Sequence, residues 1–140
     1  MKEIKHHELE QYGIRTNHNI MDNGERRFRL SGADGSCYIR TEASGDSGWQ
    51  NSHLHTRLSE ICIVQEGWVV YAELLDGKVV ANKYSAGETY LIRPMIPHNS
   101  WMAPHSILHT VKFGDCSDPD WIASPELDAL VKGTDPETLF

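Results

Sequence analysis

An all-β sandwich or closed barrel, with one short helix near the carboxyl end, is the fold class this sequence predicts. Three observations point there. Short runs rich in Val, Ile, Tyr and Trp recur through the middle of the chain, separated by Gly, Asp, Asn and Pro. Two pairs of these runs are joined by hairpin-turn residues. Helical signals are confined to the two ends. At 140 residues, 39% of them hydrophobic and 24% charged, the chain has the composition of one globular domain. A domain of that size buries about two-thirds of its unfolded surface and needs no metal or disulfide merely to fold.

Taken in order, residues 2–12 are a helix candidate. Residues 26–30 and 36–41 flank Gly32-Ala33-Asp34-Gly35 and read as a hairpin. Residues 49–55 and 60–65 are strand candidates joined by a four-residue connection. Residues 68–75 and 78–84 flank Asp76-Gly77, a two-residue turn that matches strand twist. Residues 88–93 and 107–113 complete a set of about eight strands, enough for a sandwich or a barrel without open edges. At the carboxyl end Ser124 suits an N-cap, Pro125 the first helical position, and Glu126 and Asp128 the positive end of the dipole. Leu127, Leu130 and Val131 give that helix an apolar face to lay on the β domain, and Gly133 ends it.

Thirteen basic against twenty acidic residues leave a formal charge of −7. Such a surface repels phosphate backbones and anionic lipid, so neither nucleic acid nor membrane is an expected partner. The longest apolar run, residues 68–72, is far short of a membrane span. The amino end has no signal-peptide core, and Cys37, Cys62 and Cys116 have no metal-motif spacing. They read as reduced thiols of a cytoplasmic protein.

Histidine carries the chemistry. His53 and His55 are two apart in a strand candidate, so both imidazoles project from one face. Glu60 opens the next strand, expected to pair antiparallel so that its carboxylate reaches both rings. His98 follows Arg93-Pro94-Met95-Ile96-Pro97, where the prolines fix the approach of its strand. Three neutral imidazoles and a carboxylate suit a divalent first-row metal. The spacing His-x-His, four residues, Glu, six residues, Gly arises by chance on the order of a few times in a thousand chains of this composition. Surface histidines on a hairpin are therefore the weaker alternative.

Residues 48–67, with His53, His55, Glu60 and Gly67, and residues 87–98, with Gly87, Pro94 and His98, resemble the two sequence motifs of the cupin superfamily. The resemblance covers about residues 49–113. It implies a double-stranded β-helix, the cupin or jelly-roll barrel, with a metal held inside by those three His and one Glu. The chain then divides into an amino-terminal arm and strands (1–47), a motif core (48–113) and a carboxyl-terminal helical extension (114–140). Three positions depart from the family pattern. Gly48 stands one residue too close to His53, Met95 replaces a Gly, and Met102 replaces an Asn. All three concern turns and strand packing rather than ligands, and they advise against borrowing the substrate of a well-known relative.

Strand parity adds candidates around the metal. Trp49 and Asn51 share the parity of His53 and His55; Asn51 could bond a substrate oxygen, and Trp49 could stack on a flat ring or plug the barrel. Cys62 shares the face of Glu60 as packing or as a ligand. His109, in a set with Ile107, Val111 and Phe113, is expected to point inward, as a proton shuttle, an orienting group or a core histidine. Asn51 and His109 are thus the candidate catalytic residues. His6, His7, His18 and His105 read as exposed and inert. Arg26, Arg27 and Arg29 fall on two strand faces and suit ion pairs or a dimer contact better than a phosphate cradle. Arg57 is either solvated or able to reach an anionic substrate, and the facing of Tyr71, Glu73 and Tyr90 stays open.

Four donors on an ion that prefers six leave two places for water, substrate or dioxygen. The first function reading is a metal-dependent small-molecule enzyme using Fe, Mn, Ni, Co or Zn. Its chemistry would be oxygenase or isomerase/lyase work on a sugar or hydroxy-carbonyl compound. The second is a non-catalytic cupin that binds metal and a small ligand; a purely structural metal is a third. Leu54, opposite the ligands, and four tryptophans suggest a homodimer.

Overall fold

The computed structural model of the protein describes residues 6–46, 48–116 and 119–140. Helix α1 (His6–Glu10) precedes the amino-terminal strands β1 (Arg15–Ile20), β2 (Arg26–Ser31) and β3 (Cys37–Glu42). Then come β4 (Gly48–Trp49), β5 (His53–Leu54), β6 (Leu58–Glu66), β7 (Trp68–Leu75), β8 (Lys78–Ser85) and β9 (Thr89–Ile92). Strands β10 (His98–Met102), β11 (Ile107–Gly114) and β12 (Ile122–Ala123) lead into helix α2 (Pro125–Val131). The strands form two antiparallel sheets: β1-β2-β3-β11-β6-β9, and β12-β5-β10-β7-β8 with β4 also on β10. This is the expected jelly-roll arrangement with its short carboxyl-terminal helix.

The two hairpins marked by turn residues form. Asp76 and Gly77 take φ of 51° and 74°, the paired positive values of a turn that matches the strand twist of β7 and β8. Gly67, between β6 and β7, sits at φ +72°, and a Cβ there would lie 2.8 Å from the Ser106 Cβ, so only glycine fits this corner.

The sheets meet over an apolar core. Cys62, Val64, Tyr90, Ile92 and Leu108 of the first sheet pack on Val69, Tyr71 and Met102 of the second. Each large side chain buried this way stabilises the fold by roughly 1.5–3 kcal/mol. The second core lies outside: Val70, Ala72, Leu74 and Ala81 are covered by Leu127 and Val131 of α2. The helix is capped as foreseen, with Ser124 Oγ accepting from the Leu127 N–H, while Leu130 stays exposed. The Asp128 carboxylate accepts from the Ser52 N–H at 2.9 Å, tying the helix to the segment that precedes His53.

Three expectations are corrected. Among the described residues the amino-terminal helix is α1, with a turn at residues 11–13 where the candidate helix would end; residues 2–5 lie outside the described ones, as do the side chains of His6 and His7. Residues 49–55 are not one strand, because the backbone leaves the sheet between Trp49 and His53, where Ser124 N–H bonds the Ser52 carbonyl. Strands β5 and β6 do not form a hairpin either. They belong to different sheets, and residues 55–57 carry the chain across the barrel. Among the described residues, no helix is long and apolar enough to cross a membrane.

Candidate metal centre

His53 opens β5 and His55 directly follows that strand; His98 comes from the start of β10, and Glu60 from β6 on the opposite sheet. Strand β10 pairs with β5 through His98 and His53, which sets those two rings side by side, 4.4 Å between centroids. The His55 ring lies 4.9 Å from His53 and 5.5 Å from His98. One ligand atom from each of the four residues falls within 4.8 Å of all the others. Convergence across the interior, rather than pairing along a hairpin, brings Glu60 to the rings.

The tautomers follow from what each ring touches. His53 Nδ1 lies 2.9 Å from the Asn51 carbonyl and His98 Nδ1 3.0 Å from the Ile96 carbonyl; His55 Nδ1 bonds the Asp120 carbonyl. A carbonyl only accepts, so each Nδ1 carries the proton and each neutral Nε2 keeps its lone pair. The Nε2 atoms of His55 and His98 are buried and have no hydrogen-bond partner. Such orphaned acceptors beside a carboxylate are what a cation completes. Glu60 Oε1 stands 3.4 Å from His55 Nε2, and Oε2 3.8 Å from His98 Nε2. Donors about 2.1 Å from one ion lie roughly 3–4 Å apart, so the set fits a divalent transition metal.

Electrostatics prepare the same state. Burial pushes the Glu60 carboxyl up, but the neighbouring His55, Lys112 and His98 outweigh it and hold it at about 2. Burial, then repulsion from His53, drops His98 to about 4. Burial also lowers His53. At neutral pH Glu60 is ionised beside neutral His53 and His98, the protonation state metal ligation requires. Cys62 is no competitor: burial pushes its thiol up to about 12, and its Sγ lies 3.4 Å from the Thr110 hydroxyl.

Asp120 is a functional residue that sequence reading missed. Its carboxylate accepts from the Thr56 N–H and hydroxyl and from the Arg57 and Leu58 N–H groups, at 2.7 to 3.1 Å. Burial pushes the carboxyl up, but those bonds outweigh it and hold it below the usual range. One residue thus fixes the crossing between His55 and Glu60 and orients the His55 ring. It lies more than sixty positions from its partners, and no local pattern marks it.

His53, Glu60 and His98 line a cavity of about 220 Å³. Several sequence-predicted neighbours lie elsewhere. Trp49 packs under the carboxyl-terminal segment and donates from Nε1 to the Thr134 carbonyl; Trp121 takes its place by stacking on His53 at 5.4 Å. Asn51 reaches the cavity mouth, but it is exposed and its amide oxygen accepts from Lys132. Its carbonyl, not its side chain, serves the cluster. His109 points outward, bonded through Nδ1 to the Tyr38 hydroxyl and through Nε2 to Gln65. The inward set of β11 is Leu108, Thr110 and Lys112; Val111 and Phe113, taken as interior, are exposed.

His18 and His105 are exposed, as foreseen. Arg26 pairs with Glu42 and Arg27 with Glu25, but Arg27 and Arg29 also line the cavity. Arg57 lies 3.5 Å from Asp115, and Glu73 pairs with Arg93 and accepts from the Tyr71 hydroxyl. Tyr71 and Tyr90 face the barrel interior. Met95, at the usual glycine position, itself adopts φ +68°; its N–H bonds the His55 carbonyl and its side chain is exposed. A non-glycine residue held there costs roughly 1–2 kcal/mol.

No protein-family model matches the chain, and no curated protein sequence matches it. Solved structures do. Oxalate decarboxylase from Bacillus subtilis superposes with a TM-score of 0.63 at 12% identity, over 88% of this chain and 36% of that one. An oxalate oxidase gives 0.57 at 19% identity, over 85% and 70%. KdgF from Halomonas sp. gives 0.54 at 15% identity, over 69% and 84%. The chain spans about a third of the length of the oxalate decarboxylase it matches. Two facing antiparallel sheets, a cluster of three His and one Glu between them, and these likenesses together identify the fold as that of the cupins.

Proposed function

We propose that the protein is a metal-dependent enzyme acting on a small oxygen-rich molecule, with oxygenase or isomerase/lyase chemistry. His53, His55, Glu60 and His98 would hold one divalent ion, Fe, Mn, Ni, Co or Zn. One observation carries the reading: three imidazoles, each tied through Nδ1 to a carbonyl, turn toward one carboxylate, and two of their Nε2 atoms are buried without a partner. The ion would supply Lewis acidity or, as iron, a place for dioxygen.

The chain's own residues shape what happens beside it. Leu108, Ile92 and Trp121 wall the cavity with apolar surface, while Gln50, Ser100 and Thr110 offer polar atoms beyond what metal retention needs. Metal dependence and small-substrate binding among the structural neighbours, the oxalate enzymes above all, support the same class. Pairing of two copies through the outer face of the β1-β2-β3-β11-β6-β9 sheet belongs to the proposal.

The test is turnover. Protein loaded in turn with each of the five metals is offered sugars and hydroxy-carbonyl compounds, with oxygen consumption and proton NMR as readouts. Metal-dependent conversion that disappears in His98→Ala is expected. Ligand binding with no conversion under any metal would make the protein a binding module instead.

A further inference from the structure

One peptide group joins the carboxyl-terminal helix to the histidine cluster. The Asn51 carbonyl that accepts from His53 Nδ1 at 2.9 Å belongs to the same peptide as the Ser52 N–H, which donates to the Asp128 carboxylate at 2.9 Å. A trans peptide is planar, so its C=O and N–H point in opposite directions and turn together. Whatever fixes the N–H therefore aims the carbonyl, and the carbonyl aims the imidazole.

Groups on either side of this peptide are braced as well. Asn99, 2% exposed, donates from Nδ2 to the Gln50 carbonyl and to the Ser52 hydroxyl, both at 2.8 Å. The Ser52 carbonyl accepts from the Ser124 N–H at 2.9 Å. Lys132 Nζ donates to the Asn51 amide oxygen at 2.7 Å and lies 3.7 Å from Asp128. Of these residues, Asp128 is the one that bonds the peptide's own N–H.

His98 has the same local geometry with a different anchor. Its Nδ1 bonds the Ile96 carbonyl, again two residues back. The next residue there is Pro97, so that peptide has no N–H, and the pyrrolidine ring restricts the backbone covalently. Position 52 is a serine and has no such restraint. A carboxylate 76 positions further along the chain supplies it instead.

We propose that Asp128 is a positioning residue of the metal centre, acting on His53 through the Asn51–Ser52 peptide. A carboxylate that draws on the N–H makes the carbonyl a stronger acceptor for Nδ1–H, which leaves Nε2 the better donor to an ion. Helix α2 then contributes to the site it covers. The effect on an ion rests on the metal reading above; the aim of the His53 ring does not.

Two readouts on Asp128→Asn and Asp128→Ala test it. Zn(II) affinity is measured by competition with a chromogenic chelator, and the imidazole tautomers of chelated protein by long-range proton–nitrogen NMR. Asp128→Ala should weaken Zn(II) binding by about tenfold to a hundredfold. Asp128→Asn should weaken it less, because an amide oxygen still accepts but carries no charge. In chelated Asp128→Ala, His53 should lose its fixed Nδ1–H tautomer while His98, anchored beside Pro97, keeps it. Glu126→Gln, which removes another first-turn charge of the same helix, should move neither readout. A His53 tautomer unchanged in both Asp128 variants would overturn the proposal, as would a loss of Zn(II) affinity matched by Glu126→Gln. Wild-type protein that takes up no Zn(II) would refute the metal reading alone, and the His53 tautomer still judges Asp128.

Discussion

Burying an imidazole without its proton has a consequence that can be measured on metal-free protein. His98 is 2% exposed and holds a value of about 4 against an ordinary 6.5. Below pH 6.5 the unfolded chain binds a proton that the folded chain refuses, so the stability fully present above 6.5 is lost as pH falls toward 4. The size is roughly 2–3 kcal/mol. Glu60, held at about 2, adds to the loss in the same direction below its ordinary 4.5. Urea unfolding of chelated protein at pH 7 and pH 4.5 should show the drop, and His98→Gln should flatten it. Equal midpoints at both pH values in the wild type would contradict the account of this residue. That His53 and His55 turn to one side was legible because His-x-His parity is local and survives a two-residue strand. Asn51 was not, since parity carries no information once the backbone leaves the sheet at Gln50.

Hairpins, the capped helix and the inward face of β6 were legible because turn residues and period-two alternation act within a few positions. The facing of β11 was misread for a physical reason. Its outer residues are as apolar as a core, and the inner ones include Thr110 and Lys112, so hydrophobicity alone reverses the assignment. The outer face explains itself across strands: Leu30, Tyr38, Val111, Ile61 and Leu91 are successive register partners, a row crossing five strands. Four of the five are 39–49% exposed, with Ile63 and Phe113 alongside. The proposed dimer would use this contiguous apolar row, because a second copy offering the same row is self-complementary. Sedimentation should give twice the chain mass of 15.9 kDa, and Ile61→Lys should halve it. A wild-type mass of 15.9 kDa at every concentration would remove the dimer.

At the scale of the whole molecule, the barrel works by closure. His53 and His55 at one sheet, Glu60 on the other and His98 nearly forty positions further along share an interior only because the sheets face each other. Asp120 fixes the crossing that makes them meet. The motifs announced the fold and the cluster. The interior cations and the Asp120 anchor stayed hidden, because their partners are set by long-range register and not by neighbours in sequence. The central claim is that these four side chains bind one ion, and anomalous scattering from crystals grown with Mn(II) or Ni(II) tests it most directly. The account predicts a single strong peak per chain bounded by His53, His55, Glu60 and His98. Crystals whose anomalous map is flat between those residues, with metal in excess, would contradict it.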